Sequence, residues 1–199
     1  EKKIMLDTYG RKYVNPIIDL GANTLLKLRL TPNGVSIIAL IIGVLSSIFL
    51  YFDKLILSVV FLWISGYLDS VDGAMARKKN LTSPFGTLLD ITFDRIVELS
   101  IIFVLALKFQ NSRLYLLILT MMILISMTIF LTVGALAQNN GMKSFRYQAG
   151  LAERSEGFIC FSLMILLSSI KLNLVTNIFS LIIFITIIQR ALEAKRLLK

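Results

Sequence analysis

The stretch "YLDSVDGAMARKKNLTSPFGTLLDITFDRIVE", residues 67–98, places Asp69, Asp72, Asp90 and Asp94 in a chain whose other segments are mostly Ile, Leu, Val and Phe. Asp69 and Asp72 are separated by helical i,i+3 spacing and Asp90 and Asp94 by i,i+4 spacing, so each pair shares one helix face. The break between the pairs, "KKNLTSP", is polar and ends in a helix-start signal, with Ser83 as the expected N-cap and Pro84 at the first helical position. The stretch therefore reads as a helical hairpin that brings four carboxylates to one end.

The rest of the chain says which solvent surrounds that hairpin. Of 199 residues, 56% are hydrophobic and 17% charged, far more apolar than one soluble core requires. Six stretches approach the roughly 20 helical residues that a bilayer core takes: Asn33–Phe52, Leu55–Ala76, Pro84–Phe109, Leu114–Ala137, Gly157–Leu172 and Leu174–Leu192, the fifth being the shortest. The expected fold is an all-α integral membrane protein of six transmembrane helices. The first residues, "EKKIMLDTYGRKY", show no apolar run with a cleavage site, so the spans themselves are expected to anchor the chain. "YVNPIIDLGANTLLKLRL" mixes apolar and charged residues as an amphipathic interfacial helix does, and "LTPN" then caps the first span with Thr31 and Pro32. The expected division is a cytoplasmic segment 1–32 holding the interfacial helix, followed by a six-helix transmembrane catalytic domain, 33–199.

Twenty-one Lys and Arg against twelve Asp and Glu give a formal charge of +9. With both termini in the cytoplasm, Lys54, Lys108, Arg113 and Lys171 fall outside and the other Lys and Arg inside, as the positive-inside rule demands. The excess charge is thus explained by topology and anionic lipid, and nucleic acid is not an expected partner. Histidine is absent and Cys160 is the only cysteine, which excludes thiolate metal clusters and an intrachain disulfide. Cys160 reads as a buried packing residue.

Four clustered carboxylates near one leaflet are costly, since a charged Asp at a membrane helix centre costs about 2.5–3.5 kcal/mol and like charges repel. Arg77 and Arg95 are too few to neutralise them. An all-oxygen site favours a hard cation such as Mg²⁺, Mn²⁺ or Ca²⁺. Two other readings stand beside it: a cation transporter or channel with an intramembrane aspartate path, and structural pairing with Arg. Gly73 and Gly86, next to the aspartates, leave room for a ligand to approach the backbone or for close helix packing. Arg77 supplies a donor fork suited to phosphate. Glu98, one turn past Asp94, is expected to hydrogen-bond within the bundle.

The series Asp69-x-x-Asp72-Gly73-x-x-Ala76-Arg77, eight residues, Gly86-x-x-x-Asp90-x-x-x-Asp94 resembles the signature of the CDP-alcohol phosphotransferases, with each fixed position and gap present. The six spans, the preceding amphipathic segment and "LTPN" extend the resemblance over nearly the whole chain. It implies transfer of a phosphatidyl or related phospho-alcohol group from a CDP-alcohol such as CDP-diacylglycerol to a small alcohol acceptor, with release of CMP. It implies that Asp69, Asp72, Asp90 and Asp94 hold two Mg²⁺ or Mn²⁺ ions, with Asp94 also the general base. It further implies that Pro32, Asn33, Asp69, Gly73, Arg77, Ser83 and Gly86 bind the CDP moiety, that the protein is a homodimer in the cytoplasmic membrane, and that its active site faces the cytoplasm.

Within the family, "DITFDR", "GLAER" at 150–154 and Gln189-Arg190 resemble the bacterial phosphatidylinositol-phosphate synthases. That likeness implies acceptor contacts from Arg154 and Arg190. Three basic positions of that branch fall on Thr132, Gly134 and Gly157, and Lys143 and Arg146 are the candidates to replace them.

Overall fold

The computed structural model describes residues 6–139 and 154–197, and the elements in them are helical. In chain order these are α1 (Leu6–Lys27), α2 (Pro32–Tyr51), α3 (Leu55–Lys78), α4 (Pro84–Lys108), a 3-10 turn (Gln110–Ser112), α5 (Arg113–Asn139), α6 (Arg154–Leu166) and α7 (Ser168–Leu197). They form two compact units, Glu1–Lys108 and Phe109–Lys199.

In the first unit, α2 packs against α3 and α4, while α1 lies on α3. Small and hydroxylated residues make the close contacts, as expected where lipid removes the hydrophobic drive between helices. Gly43 of α2 meets Val97 of α4 so closely that an added Cβ would overlap it, and that Cβ would lie 2.7 Å from Ser65 Oγ on α3. Ser65 donates to Ala39 O at 2.8 Å, and Ser46 donates to Ser58 O at 2.7 Å. Each hydroxyl thus satisfies its own polarity while fastening α2 to α3. The α1 face is held by Ala22, packed with Val35, Val71, Ala74 and Met75. Polar links join it: Tyr67 donates to Ile17 O at 3.1 Å, and Lys78 pairs with Asp19 at 2.8 Å.

Both sequence-read helix starts are present. Thr31 Oγ1 accepts from Gly34 N at 3.2 Å, and Ser83 Oγ accepts from Gly86 N at 3.0 Å. The helix ends share one device that carries no glycine signal. After α1, α2 and α3 the chain turns through Arg29, Asp53 and Asn80, with φ of 59°, 59° and 54°. The following residues, Leu30, Lys54 and Leu81, donate back to Leu25, Phe49 and Ala76, the Schellman pattern that satisfies terminal carbonyls.

In the second unit, α7 packs against α5 and α6. The buried α5 positions Leu116, Leu119, Ile123, Ser126, Phe130 and Val133 alternate at three and four residues, and so do Leu172, Thr176, Phe179, Ile183, Thr186 and Arg190 of α7. This 3.5-residue period is that of a left-handed coiled-coil seam. Phe161 of α6 meets Phe179 edge-on at 5.3 Å.

Among the described residues, four helical segments are long and apolar enough to cross a membrane: Pro32–Tyr51, Leu55–Lys78, Gln110–Leu136 and Ser168–Leu197. The other two expected spans differ from simple apolar helices. α4 carries Asp90, Asp94, Arg95, Glu98 and Lys108, and α6 ends at Leu166 rather than Leu172. Helical structure resumes at Ser168 but kinks at Lys171 (φ −138°, ψ 27°), within two residues of the boundary expected between the fifth and sixth spans. Cys160, expected in the core, is only half-buried on α6.

Candidate active site

The last turns of α3 and the first turns of α4 carry the chemistry. Asp69 and Asp72 are buried on α3, Asp90 is half-buried on α4, and one carboxylate oxygen from each lies within 4.8 Å of the others. The i,i+3 spacing on α3 supplies two of the three, and the turn capped by Ser83 starts α4 so that Asp90 meets them. Asp94, one turn further along α4, is half-buried and lies outside this group of three.

Three carboxylates converging from two helices are an oxygen-only donor set, and two of them are screened from water. Such a set fits a hard divalent cation and suits softer metals poorly. A bound cation offsets both the burial cost and the mutual repulsion of the carboxylates.

The surroundings divide into a cationic rim and two helix N-termini. Arg77 is exposed, and its Nη1 lies 3.4 Å from where a Cβ on Gly73 would sit. The guanidinium therefore folds back along α3 over the residue that follows Asp72. A Cβ on Gly86 would lie 3.3 Å from Ser83 Oγ and 3.7 Å from Asn33 Oδ1, so the first turns of α2 and α4 are neighbours beside the aspartates. Paired helix N-termini present partial positive charge, the arrangement that favours phosphate oxygens. Pro32 opens α2 at this point.

Arg95 turns away from this role. Its guanidinium pairs with Glu98 at 2.6 and 2.7 Å along α4, so the partners expected for Glu98 within the bundle include a residue of its own helix. Lys78 is likewise engaged by Asp19 and by Asn23 Oδ1, the latter at 2.9 Å. Of the basic residues in the hairpin, Arg77 is the one set beside the glycine of the aspartate motif.

Of the residues connected with the acceptor, Arg190 belongs to the second unit. It is buried in the α5/α7 seam, where it donates to Ser126 O at 3.1 Å and Ser126 Oγ at 2.9 Å and stacks 5.1 Å from the Phe130 ring centroid. Arg154 begins α6. Lys143 and Arg146 lie outside the described residues.

Sequence reading missed Ser36. This half-buried α2 residue donates from its hydroxyl to Asp72 Oδ2 at 2.5 Å. Its signal was a lone hydroxyl one turn past Pro32, next to the apolar stripe of Val35 and Ala39. Ser126 and Phe130 were also missed, because nothing local marks them as partners of a residue 60 or so positions away.

An all-helical membrane protein with a carboxylate cluster, two helix N-termini and an arginine at one end of a hairpin is built to handle a phosphorylated lipid substrate through a divalent cation. The chain belongs to the CDP-alcohol phosphatidyltransferase family, whose sequence model matches residues 29–191; it is a CDP-alcohol phosphotransferase and a phospholipid-synthesising enzyme. It is 33% identical to the archaetidylinositol phosphate synthase of Pyrococcus horikoshii over 98% of this chain and 99% of that one. Its fold is similar to that of Mycobacterium tuberculosis phosphatidylinositol phosphate synthase solved with CDP-DAG bound, with a TM-score of 0.70 and 25% identity, covering 90% of this chain and 94% of that one. The same mycobacterial enzyme in complex with manganese and citrate gives a TM-score of 0.69 at 25% identity, covering 89% and 88%.

Proposed function

We propose that this enzyme transfers the phosphatidyl group of a CDP-linked diradylglycerol to a hydroxyl of inositol phosphate, releasing CMP. The observation that carries this reading is the convergence of Asp69, Asp72 and Asp90 beside the N-termini of α2 and α4. The choice of acceptor is supported by the named relatives, an archaetidylinositol phosphate synthase and a phosphatidylinositol phosphate synthase.

Asp69, Asp72, Asp90 and Asp94 would hold two Mg²⁺ or Mn²⁺ ions, which when bound supply charge neutralisation for the diphosphate and for the departing CMP. Asp94 accepts the proton of the acceptor hydroxyl as its oxygen bonds to the lipid-bearing phosphorus. The bond from that phosphorus to the bridging oxygen breaks, and CMP leaves with the electron pair. Pro32, Asn33, Gly73, Ser83 and Gly86 line the CDP moiety, and Arg77 offers a bidentate fork to its phosphates. Arg154 and Arg190 bind the acceptor phosphate, with Lys143 and Arg146 supplying further positive charge.

The chain crosses the membrane six times, with both termini and the active site on the cytoplasmic side. α4 has 25 residues, and apart from Lys108 its charges lie between Asp90 and Glu98, toward the proposed inner boundary. α6 and the first residues of α7, up to the kink at Lys171, together span about 27 Å at 1.5 Å per residue. α1 lies within the segment 1–32 along the cytoplasmic interface, where its exposed Val14, Ile17 and Leu20 would meet lipid, and residues 33–199 are the catalytic domain. The enzyme works as a homodimer, for which the exposed α4 residues Ile96, Leu99, Phe103 and Leu107 offer an apolar face.

The test is CMP release by the detergent-purified protein with Mn²⁺ and either CDP-diacylglycerol or its dialkyl ether counterpart. Inositol phosphate, inositol, glycerol phosphate and serine are offered as acceptors. Release with inositol phosphate alone is expected; release with another acceptor contradicts the assignment.

A further inference from the structure

We propose that Ser36 is a positioning residue for the metal site: its hydroxyl fixes the carboxylate of Asp72 from the neighbouring helix. The inference rests on the reading that Asp72 holds a divalent cation.

Ser36 Oγ lies 2.5 Å from Asp72 Oδ2 and 3.2 Å from Pro32 O. A hydroxyl has one hydrogen to give, and the shorter separation is that of a charge-assisted O–H···O⁻ bond. The hydrogen therefore belongs to Asp72, and the carbonyl one turn back is the alternative it forgoes. Asp72 is 5% exposed, so water competes poorly for Oδ2. The terminal torsion of an aspartate is broad and two-fold, so its own helix does not hold the carboxylate plane. A donor on another helix does.

The bond also ties two parts of the site together. Ser36 lies one turn from Asn33, whose Oδ1 borders Gly86, so α2 faces the start of α4 with one residue and a metal-binding carboxylate of α3 with the next turn. α2 supplies none of the converging carboxylates, yet it sets the orientation of one. Outer partners of this kind typically change metal affinity by about 10–100-fold when removed.

The competing role for Ser36 is helix adhesion alone, like that of Ser46 and Ser65. The two roles separate in metal binding. Full-length protein in detergent is titrated with Mn²⁺ alone, and free Mn²⁺ is followed by its electron paramagnetic resonance signal. Ser36→Ala is expected to weaken Mn²⁺ binding by about tenfold, with Ser36→Thr restoring it because the hydroxyl is kept. Should Ser36→Ala not fold, Ser36→Cys, a weaker donor, is expected to show a smaller loss. Unchanged Mn²⁺ affinity in the folded Ala or Cys variant overturns the proposal, even if its melting temperature falls. Failure of the unsubstituted protein to bind Mn²⁺ overturns instead the reading of Asp72 as a metal ligand, and this inference with it.

Discussion

Asp72 near the end of α3 and Asp90 near the start of α4 bring carboxylate oxygens within 4.8 Å of each other across the turn that joins the two helices. Without a cation between them, that approach is repulsive. Asp72→Asn and Asp90→Asn are therefore expected to lower CMP release by about 10²–10³-fold, the usual scale for losing a main electrostatic contribution to the transition state. They should not lower the melting temperature of metal-free protein. Mn²⁺ should raise the melting temperature of the unsubstituted enzyme by mass action and do so less in either variant. Scanning calorimetry with and without Mn²⁺ checks both halves.

Asp94 stands apart from the converging three, which suits a group that must exchange a proton. Asp94→Asn should reduce turnover by about 10²–10⁴-fold, the range for losing a general base. CDP-lipid binding should persist, and equilibrium binding of the labelled nucleotide lipid would show it. Near-normal turnover in this variant would remove Asp94 from the base role.

Gly43 tests the packing that presents the site. A methyl at this position would overlap Val97 and crowd Ser65, forcing α2 away from α3 and α4. Gly43→Ala should cost about 1–3 kcal/mol, as overpacking commonly does. Thermal unfolding in detergent reads this out, and an unaltered melting temperature would mean the helices have slack at this crossing.

At the opposite end of α2, Lys108 Nζ donates to Leu50 O at 3.2 Å and Tyr51 O at 2.8 Å and pairs with Asp53 at 2.5 Å. The two partners are not equal. Asp53 is 79% exposed on its side chain while Lys108 is 16% exposed, so the ion pair itself contributes about 0–1 kcal/mol, whereas charged hydrogen bonds to terminal carbonyls contribute about 1.5–3 kcal/mol each. Lys108→Met should therefore destabilise more than Asp53→Asn, with CMP release at low temperature unchanged in both. Equal melting temperatures for the two variants would contradict this ranking.

The hairpin was legible because its information is local. Spacing alone put Asp69 with Asp72 on one face, and Ser83-Pro84 announced the start of α4. Thr31-Pro32 did the same for α2. Helix ends were harder, since Arg29, Asp53 and Asn80 adopt the left-handed conformation without the glycine that would announce it. The break after Leu166 had no signal, because apolar composition runs on past it and composition does not record where backbone geometry breaks. Ser36, Ser126 and Phe130 escaped notice because their partners are distant in sequence. Arg95 and Arg77 looked equivalent in sequence, but Glu98 lies within reach of the first along its own helix.

The central claim is that the aspartate cluster binds divalent cations and uses them to transfer a lipid phosphate from CDP. The most direct test is the initial rate of CMP release from CDP-diacylglycerol and inositol phosphate by chelator-stripped protein, measured as Mn²⁺ is added back, for the unsubstituted enzyme and Asp90→Asn. The account predicts no release without metal, saturable recovery in the unsubstituted enzyme, and little recovery in the variant at any Mn²⁺ concentration. Metal-independent CMP release, or equal recovery in Asp90→Asn, would contradict it.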